Sequence, residues 1–209
     1  METTAIHYTS VLLVRAAPET VAEIEALARA EASERPLLLF FHGDGVLAAT
    51  RSGSAWSALA GAEGVRALLC AAALQRRAVA APIEGFEVAS LVRFWDALAA
   101  SAAGADFLVR IDEGGDARTW QERLELILAG ASLDLDLRVL FEASAWWDLR
   151  GKPESWAAWQ QLFDHGLARV GVLAGPSGRA EAVAPAEWVG ESALEDWREG
   201  VDARAEIQA

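Results

Sequence analysis

Short, continuously apolar runs recur along the chain, separated by longer stretches in which apolar residues return every three or four positions. Val11–Val14 and Leu37–Phe41 are runs of the first kind, and so, apart from Arg66 and Arg110, are Val65–Leu69 and Phe107–Ile111, each about as long as a buried strand. Between the first two, Pro18 to Glu34 predicts a helix. Pro18 falls near its first turn, Glu19 sits beside the positive end of the dipole, and Val21, Ile24, Leu27 and Ala28 share one face. A polar, small-residue stretch follows Phe41 as far as about Ser57, with a helix ahead of Val65. After the third strand the pattern predicts a helix through Leu74, a loop from Pro82 to Gly85, a helix near Glu87–Ala100 and, last of all, a helix near Ser192–Arg204. Strands that are apolar at every position and alternate with helices imply a parallel sheet covered on both faces. Phe107–Ile111 either closes the first half of the chain or opens the second.

The chain also repeats itself, at an offset of about 95 to 103 residues. Leu12–Arg15 answers to Phe107–Arg110, Leu38–Phe41 to Arg138–Phe141, the segment around Arg66 to the one around Arg169, and Ser90–Trp95 to Ser192–Trp197. All four matches fall in the same order. Between the halves lies Ser101–Ala105, a small-residue stretch suited to a junction. The fold class expected is therefore α/β, as two tandem three-layer α/β/α domains with mainly parallel sheets, residues 1–104 and 105–209.

Composition narrows the chemistry. The 209 residues are 53% hydrophobic and 23% charged, enough to fill a core. One cysteine excludes an internal disulfide framework and a cysteine-based zinc finger. His7, His42 and His165 lie far apart and show no metal-ligand spacing, so no metal site is expected. A net charge of −13 argues against direct nucleic-acid binding, which needs a cationic footprint, and leaves other proteins as the expected partners. No apolar run approaches the roughly 20 residues of a membrane span. A free thiol with no basic leader segment makes the cytoplasm the expected compartment.

The lone cysteine, Cys70, lies where the strand Val65–Leu69 turns into the helix that follows. Helix N-terminal amides favour a thiolate over a thiol, and thiolates are the nucleophilic form. The alternative is a buried small hydrophobe at a strand end, the usual state of free cysteines. Sites in open parallel sheets gather at the carboxyl ends of strands. Cys70 follows its strand and His42-Gly43-Asp44-Gly45-Val46 follows Leu37–Phe41, so the two motifs share one edge of the sheet if the strands pair. His42 then either steers an anion and protonates a leaving thiolate, or is a loop histidine bonded to backbone. Gly43 and Gly45 read as a tight turn at positive φ, with Asp44 bonding local amides. Arg76 and Arg77 fall roughly 9 Å beyond Cys70 along the helix, too far to activate the thiol directly; they complement the helix C-terminus or meet an acidic partner. Gly171–Arg179 resembles a phosphate loop but lacks the GK[ST] ending. Of the nine tryptophans, Trp146, Trp147, Trp156 and Trp159 cluster. Adjacent Trp146 and Trp147 point in different directions, so one reaches a surface suited to a subunit contact.

Phe40–Val46, with its GDGV turn, taken with Leu69-Cys70-Ala71-Ala72-Ala73-Leu74-Gln75-Arg76-Arg77 and Gly85-Phe86, resembles the DsrE/TusD-like sulfur-relay proteins over most of residues 8 to 111. Ala78 departs from that pattern, which has glycine after the arginine pair. The resemblance implies a DsrEFH-like fold in which Cys70 accepts sulfane sulfur as a persulfide and hands it to a partner protein. Sulfur donor and acceptor proteins are the implied partners, no cofactor is required, and assembly as a homo- or hetero-oligomer is implied. The second half looks like a degenerate copy, closest to the DsrF/TusC-like branch: Glu142-Ala143-Ser144-Ala145 replaces GDGV, and Leu173 falls near the position answering to Cys70. The site expected is Cys70 and His42 as the catalytic pair with Gly43, Asp44 and Gly45 around the substrate, in a sulfur carrier of sulfur oxidation or tRNA thiolation. The alternative is a non-catalytic assembly or regulatory subunit. A hydrolase or nucleotide enzyme on the same sheet type lacks its motifs here, GxSxG and a usable phosphate loop among them. A carrier requires that the sulfhydryl be open to a visiting protein at the mouth of the first domain.

Overall fold

The computed structural model describes residues 10–15, 21–50, 55–80, 84–101, 106–173, 185–190, 193–199 and 201–208. They fall into two compact units, Met1–Ala103 and Gly104–Ala209.

The first unit runs β1 (Ser10–Val14), α1 (Val21–Glu34), β2 (Leu37–Phe41), α2 (Gly45–Thr50), α3 (Ala55–Ala60), β3 (Val65–Cys70), α4 (Ala71–Arg76), β4 (Phe86–Ala89) and α5 (Leu91–Ser101). Its strands pair in parallel in the order β1-β2-β3-β4. All five residues of β2 are buried, and neighbouring side chains face opposite ways. Phe41 meets Trp56 of α3 at 5.1 Å and Phe86 at 5.5 Å, while Phe40 meets Phe94 of α5 at 4.8 Å. Helices thus cover both faces of the sheet, which is why β2 reads as an unbroken apolar run. Each such buried phenylalanine contributes about 2–3 kcal/mol of hydrophobic stabilisation.

Two expectations are corrected in this unit. The polar stretch after Phe41 contains a helix, α2, beginning at Gly45. The helix near Glu87–Ala100 starts later, because Phe86–Ala89 pairs with β3 as strand β4. Ser90 marks the true start: its Oγ accepts the backbone N–H of Arg93 at 3.2 Å, capping the first turn of α5.

The second unit runs β5 (Asp106–Ile111), α6 (Ala117–Ala131), β6 (Leu137–Phe141), α7 (Ala143–Arg150), α8 (Pro153–Asp164), β7 (Arg169–Leu173), β8 (Glu187–Val189), α9 (Leu194–Arg198) and β9 (Val201–Gln208). Phe107–Ile111 therefore opens the second half. The sheet order is β8-β7-β6-β5-β9, again parallel throughout. The helix near Ser192–Arg204 is cut short. Beyond Arg198 the chain alternates Val201, Ala203, Ala205 and Ile207 with Asp202, Arg204, Glu206 and Gln208, a period of two that suits the strand β9 beside β5. Trp146 is buried and Trp147 is 37% exposed, so the adjacent pair does point two ways. Phe141 stacks edge-on against Trp146 and Trp159 at 5.2 and 5.4 Å.

The units share internal details. The N–H of His42 donates to the carbonyl of Val14 at 3.0 Å, and the N–H of Glu142 to that of Ile111 at 2.9 Å. Arg66 pairs with Glu87 across β3 and β4 at 2.7 Å, and Arg169 with Glu187 across β7 and β8 at 2.7 Å. Val14 thus answers to Ile111, two positions away from the match drawn on sequence alone, whereas Phe41 and Phe141 align as expected.

The exit of α4 explains the departure at Ala78. The N–H of Val79 donates to the carbonyl of Leu74 at 3.0 Å and that of Ala78 to Gln75 at 3.2 Å, the paired bonds of a Schellman turn. That turn needs a left-handed residue, and Ala78 adopts φ 51°. Glycine enters this region without steric cost, whereas alanine loses about 1 kcal/mol there. Ala78→Gly is predicted to stabilise the protein by about 0.5–1 kcal/mol, measured as a higher denaturant midpoint at unchanged slope. A lower midpoint contradicts the strained exit.

Candidate functional site

Strand register builds the site. Phe40 pairs with Leu68 and Phe41 with Leu69, so the next residues, His42 and Cys70, lie side by side at the carboxyl ends of β2 and β3. The two motifs do share one edge of the sheet. By the same alternation both fall on the Phe40 face, and the ring of His42 stacks on Phe40 at 6.5 Å between centroids. Cys70 is the N-cap of α4, in extended geometry with φ −62° and ψ 117°, and its side chain makes no capping bond.

The turn after His42 departs in part from expectation. Gly43 does adopt positive φ, at 56°, but Gly45 does not. Gly45 is required for another reason: a Cβ there would lie 2.0 Å from the carbonyl oxygen of Val14, so the turn presses directly on β1. Asp44 reaches across to α4, where its carboxylate accepts a hydrogen bond from Nε of Arg77 at 2.8 Å. Arg77 therefore neither waits for an outside partner nor merely caps its helix. Its side chain is 5% exposed and that of Asp44 is 52% exposed.

Cys70 is 1% exposed and His42 is fully buried. The thiol is thus closed over, contrary to the open mouth expected of a carrier. Among the described residues neither ring nitrogen of His42 has a hydrogen-bond partner, so the side chain is not a loop histidine bonded to backbone. Burial, then the charges of Arg15, Arg77 and Arg76, pushes its pKa down to about 3. At neutral pH the ring is uncharged, offering one N–H donor and one acceptor nitrogen, and it is not a ready source of protons. Three guanidinium groups within electrostatic reach make this edge a cationic spot in an acidic protein. Arg15 was not singled out in the sequence, although it directly follows β1 and obeys the same strand-end rule that marks His42 and Cys70.

The second unit offers no such site at the matching place. Phe141 pairs with Val172, which sets Glu142 beside Leu173 where the first unit has His42 beside Cys70. Arg110 lies between two acids there, 3.3 Å from Asp112 and 3.5 Å from Glu142. Nearby, Asp148 accepts hydrogen bonds from Lys152, from the N–H of Gly115 and from Nε1 of Trp120, and the Lys152 bond foremost holds its pKa down to about 2. These contacts tie α7 to the start of α6. Of the glycine-rich segment Gly171–Arg179, Gly171 is core: a Cβ there would strike Trp197 and Val189 at 2.6 Å. The part from residue 174 onward lies outside the described residues.

An open parallel α/β/α unit whose cysteine ends a central strand and starts a helix defines the class of protein. Residues 10–104, nearly all of the first unit, match the model of the DsrE/DsrF-like family, a family known for sulfur relay. No curated protein and no solved structure matches the chain. Among the described residues no helix is long and apolar enough to cross a membrane.

The depressed His42 pKa carries a stability cost in acid. Below pH 6.5 the unfolded imidazole binds a proton that the folded one refuses until about pH 3, so stability falls as pH drops through that window. From pH 7 to 5 wild-type protein is predicted to lose about 2 kcal/mol more than His42→Gln, measured by denaturant titration. Equal losses contradict the burial of an uncharged ring.

Proposed function

We propose that the first unit is a sulfur carrier in which Cys70 holds sulfane sulfur as a persulfide between a donor and an acceptor protein. The observation that supports this most is the strand register, which sets the thiol beside a buried, uncharged imidazole with no hydrogen-bond partner among the described residues, at the sheet edge used by functional sites. In the first step the Cys70 thiolate attacks the outer sulfur of a donor persulfide. The new S–S bond forms as the donor's S–S bond breaks, and the donor leaves as a thiolate. No net redox change occurs and no cofactor or metal is needed. In the second step an acceptor thiolate attacks the outer sulfur held on Cys70, returning the Cys70 thiolate. The N–H of His42 donates to the bound sulfur, taking up the hydrogen-bonding capacity that is unused in the empty site. Gly43 and Gly45 shape the turn, and Asp44 fixes Arg77.

On this reading residues 1–104 form the DsrE/TusD-like domain. Residues 105–209 form a degenerate DsrF/TusC-like copy, with Leu173 where sulfur would be held, so one chain supplies two related subunits of a cytoplasmic oligomer. A second reading, an assembly or regulatory subunit, is favoured by one observation: Cys70 is 1% exposed.

Intact mass separates them. After incubation with a small-molecule persulfide under native conditions, wild-type protein is expected to gain one sulfur atom, removed again by a thiol reductant, and Cys70→Ser to gain none. A wild type that loads from no donor, and whose thiol reacts only on unfolding, supports the assembly reading instead.

A further inference from the structure

Two chain segments meet twice around the thiol. At their roots, His42 and Cys70 stand side by side at the ends of β2 and β3. At their far ends, Asp44 of the turn holds Arg77 at the end of α4, 33 residues away in sequence. The six residues of α4 therefore form the arm of a closed ring, with Cys70 at one end and the ion pair at the other.

The two sides of this ring differ in what anchors them. The turn is fixed: the N–H of His42 bonds the carbonyl of Val14, and Gly45 packs onto the same carbonyl. The arm is short for a helix and ends in a Schellman turn forced on Ala78 at φ 51°. Its end is held to the turn by Arg77.

Resting on the assignment of Cys70 as the sulfur site, we infer that the Asp44–Arg77 ion pair is a latch that keeps the thiol closed, with α4 as the moving part. Releasing Arg77 lets α4 swing or fray from its C-terminal end and opens the sulfur and the unsatisfied His42 ring to a visitor. Closure shields the thiol between transfers. Because the Asp44 carboxylate is half exposed, the latch is open to screening: the Debye length falls from about 10 Å at 0.1 M salt to about 3 Å at 1 M.

The test is the rate at which N-ethylmaleimide, an uncharged reagent, alkylates Cys70 in the full chain under native conditions. Asp44→Asn and Arg77→Gln are each expected to raise the rate about tenfold, while Arg77→Lys, which retains an ion pair, stays near the wild-type rate. Salt raised from 0.1 to 1 M should speed the wild type and leave Asp44→Asn unchanged. Arg66→Gln breaks another ion pair on the same sheet, so it reports general loosening, and it is expected to react at the wild-type rate. Thermal melts of every variant confirm that the folded protein is what reacts. Unchanged rates in Asp44→Asn and Arg77→Gln overturn the latch, and so does an equal rise in Arg66→Gln. Persulfide loading of the same samples keeps the two claims apart. Faster alkylation without loading leaves the latch and removes the carrier, whereas loading without faster alkylation does the reverse.

Discussion

The parallel register between β2 and β3 is the constraint on which the site depends. A slip of one residue would turn either His42 or Cys70 to the opposite face and separate them. Burial on both faces fixes that register, because every side chain of β2 and the last four of β3 are packed. The site is therefore held by the core and not by its own contacts. This explains how the protein keeps a histidine there with both ring nitrogens unsatisfied among the described residues, an arrangement that costs stability and persists only where the surrounding structure imposes it.

Comparison of the two units separates what the scaffold needs from what the site adds. Both use the same order for their first four strands, the second adding β9 beside β5, the same N–H to carbonyl bond at the end of the second strand, and the same arginine–glutamate pair between the third and fourth strands. They differ at the sheet edge. The first unit places a thiol and an imidazole there; the second places Leu173 and Glu142, with Arg110 between acids. Charge balance thus changes from cationic to acidic with the backbone plan retained.

The sequence made the central strands legible because Leu37–Phe41 is apolar at every position and Val65–Leu69 at all but Arg66, a pattern set by burial on both faces. Once those strands were placed, the strand-end rule brought Cys70, His42 and the GDGV turn to one edge. Edge elements were harder. β4 is only four residues long and runs into a helix with no break but Ser90, and β9 shows its alternation over small residues that a helix accommodates equally well. The exposure of Cys70 was not legible at all, since it depends on which side chains close over a strand end. Nor was the Asp44–Arg77 pair, which joins residues distant in sequence through the way α4 leaves the sheet.

A fixed sheet edge under a short helix tied down at its far end is the physical picture that unites the buried thiol with a function requiring contact. Backbone hydrogen exchange of the native protein tests it most directly. The amides of residues 71–79 are predicted to exchange through local opening, many times faster than those of β2 and β3 and with no sensitivity to global stability. Exchange of residues 71–79 only together with β2 and β3, in a single global unfolding event, would contradict the account and leave Cys70 sealed for as long as the protein is folded.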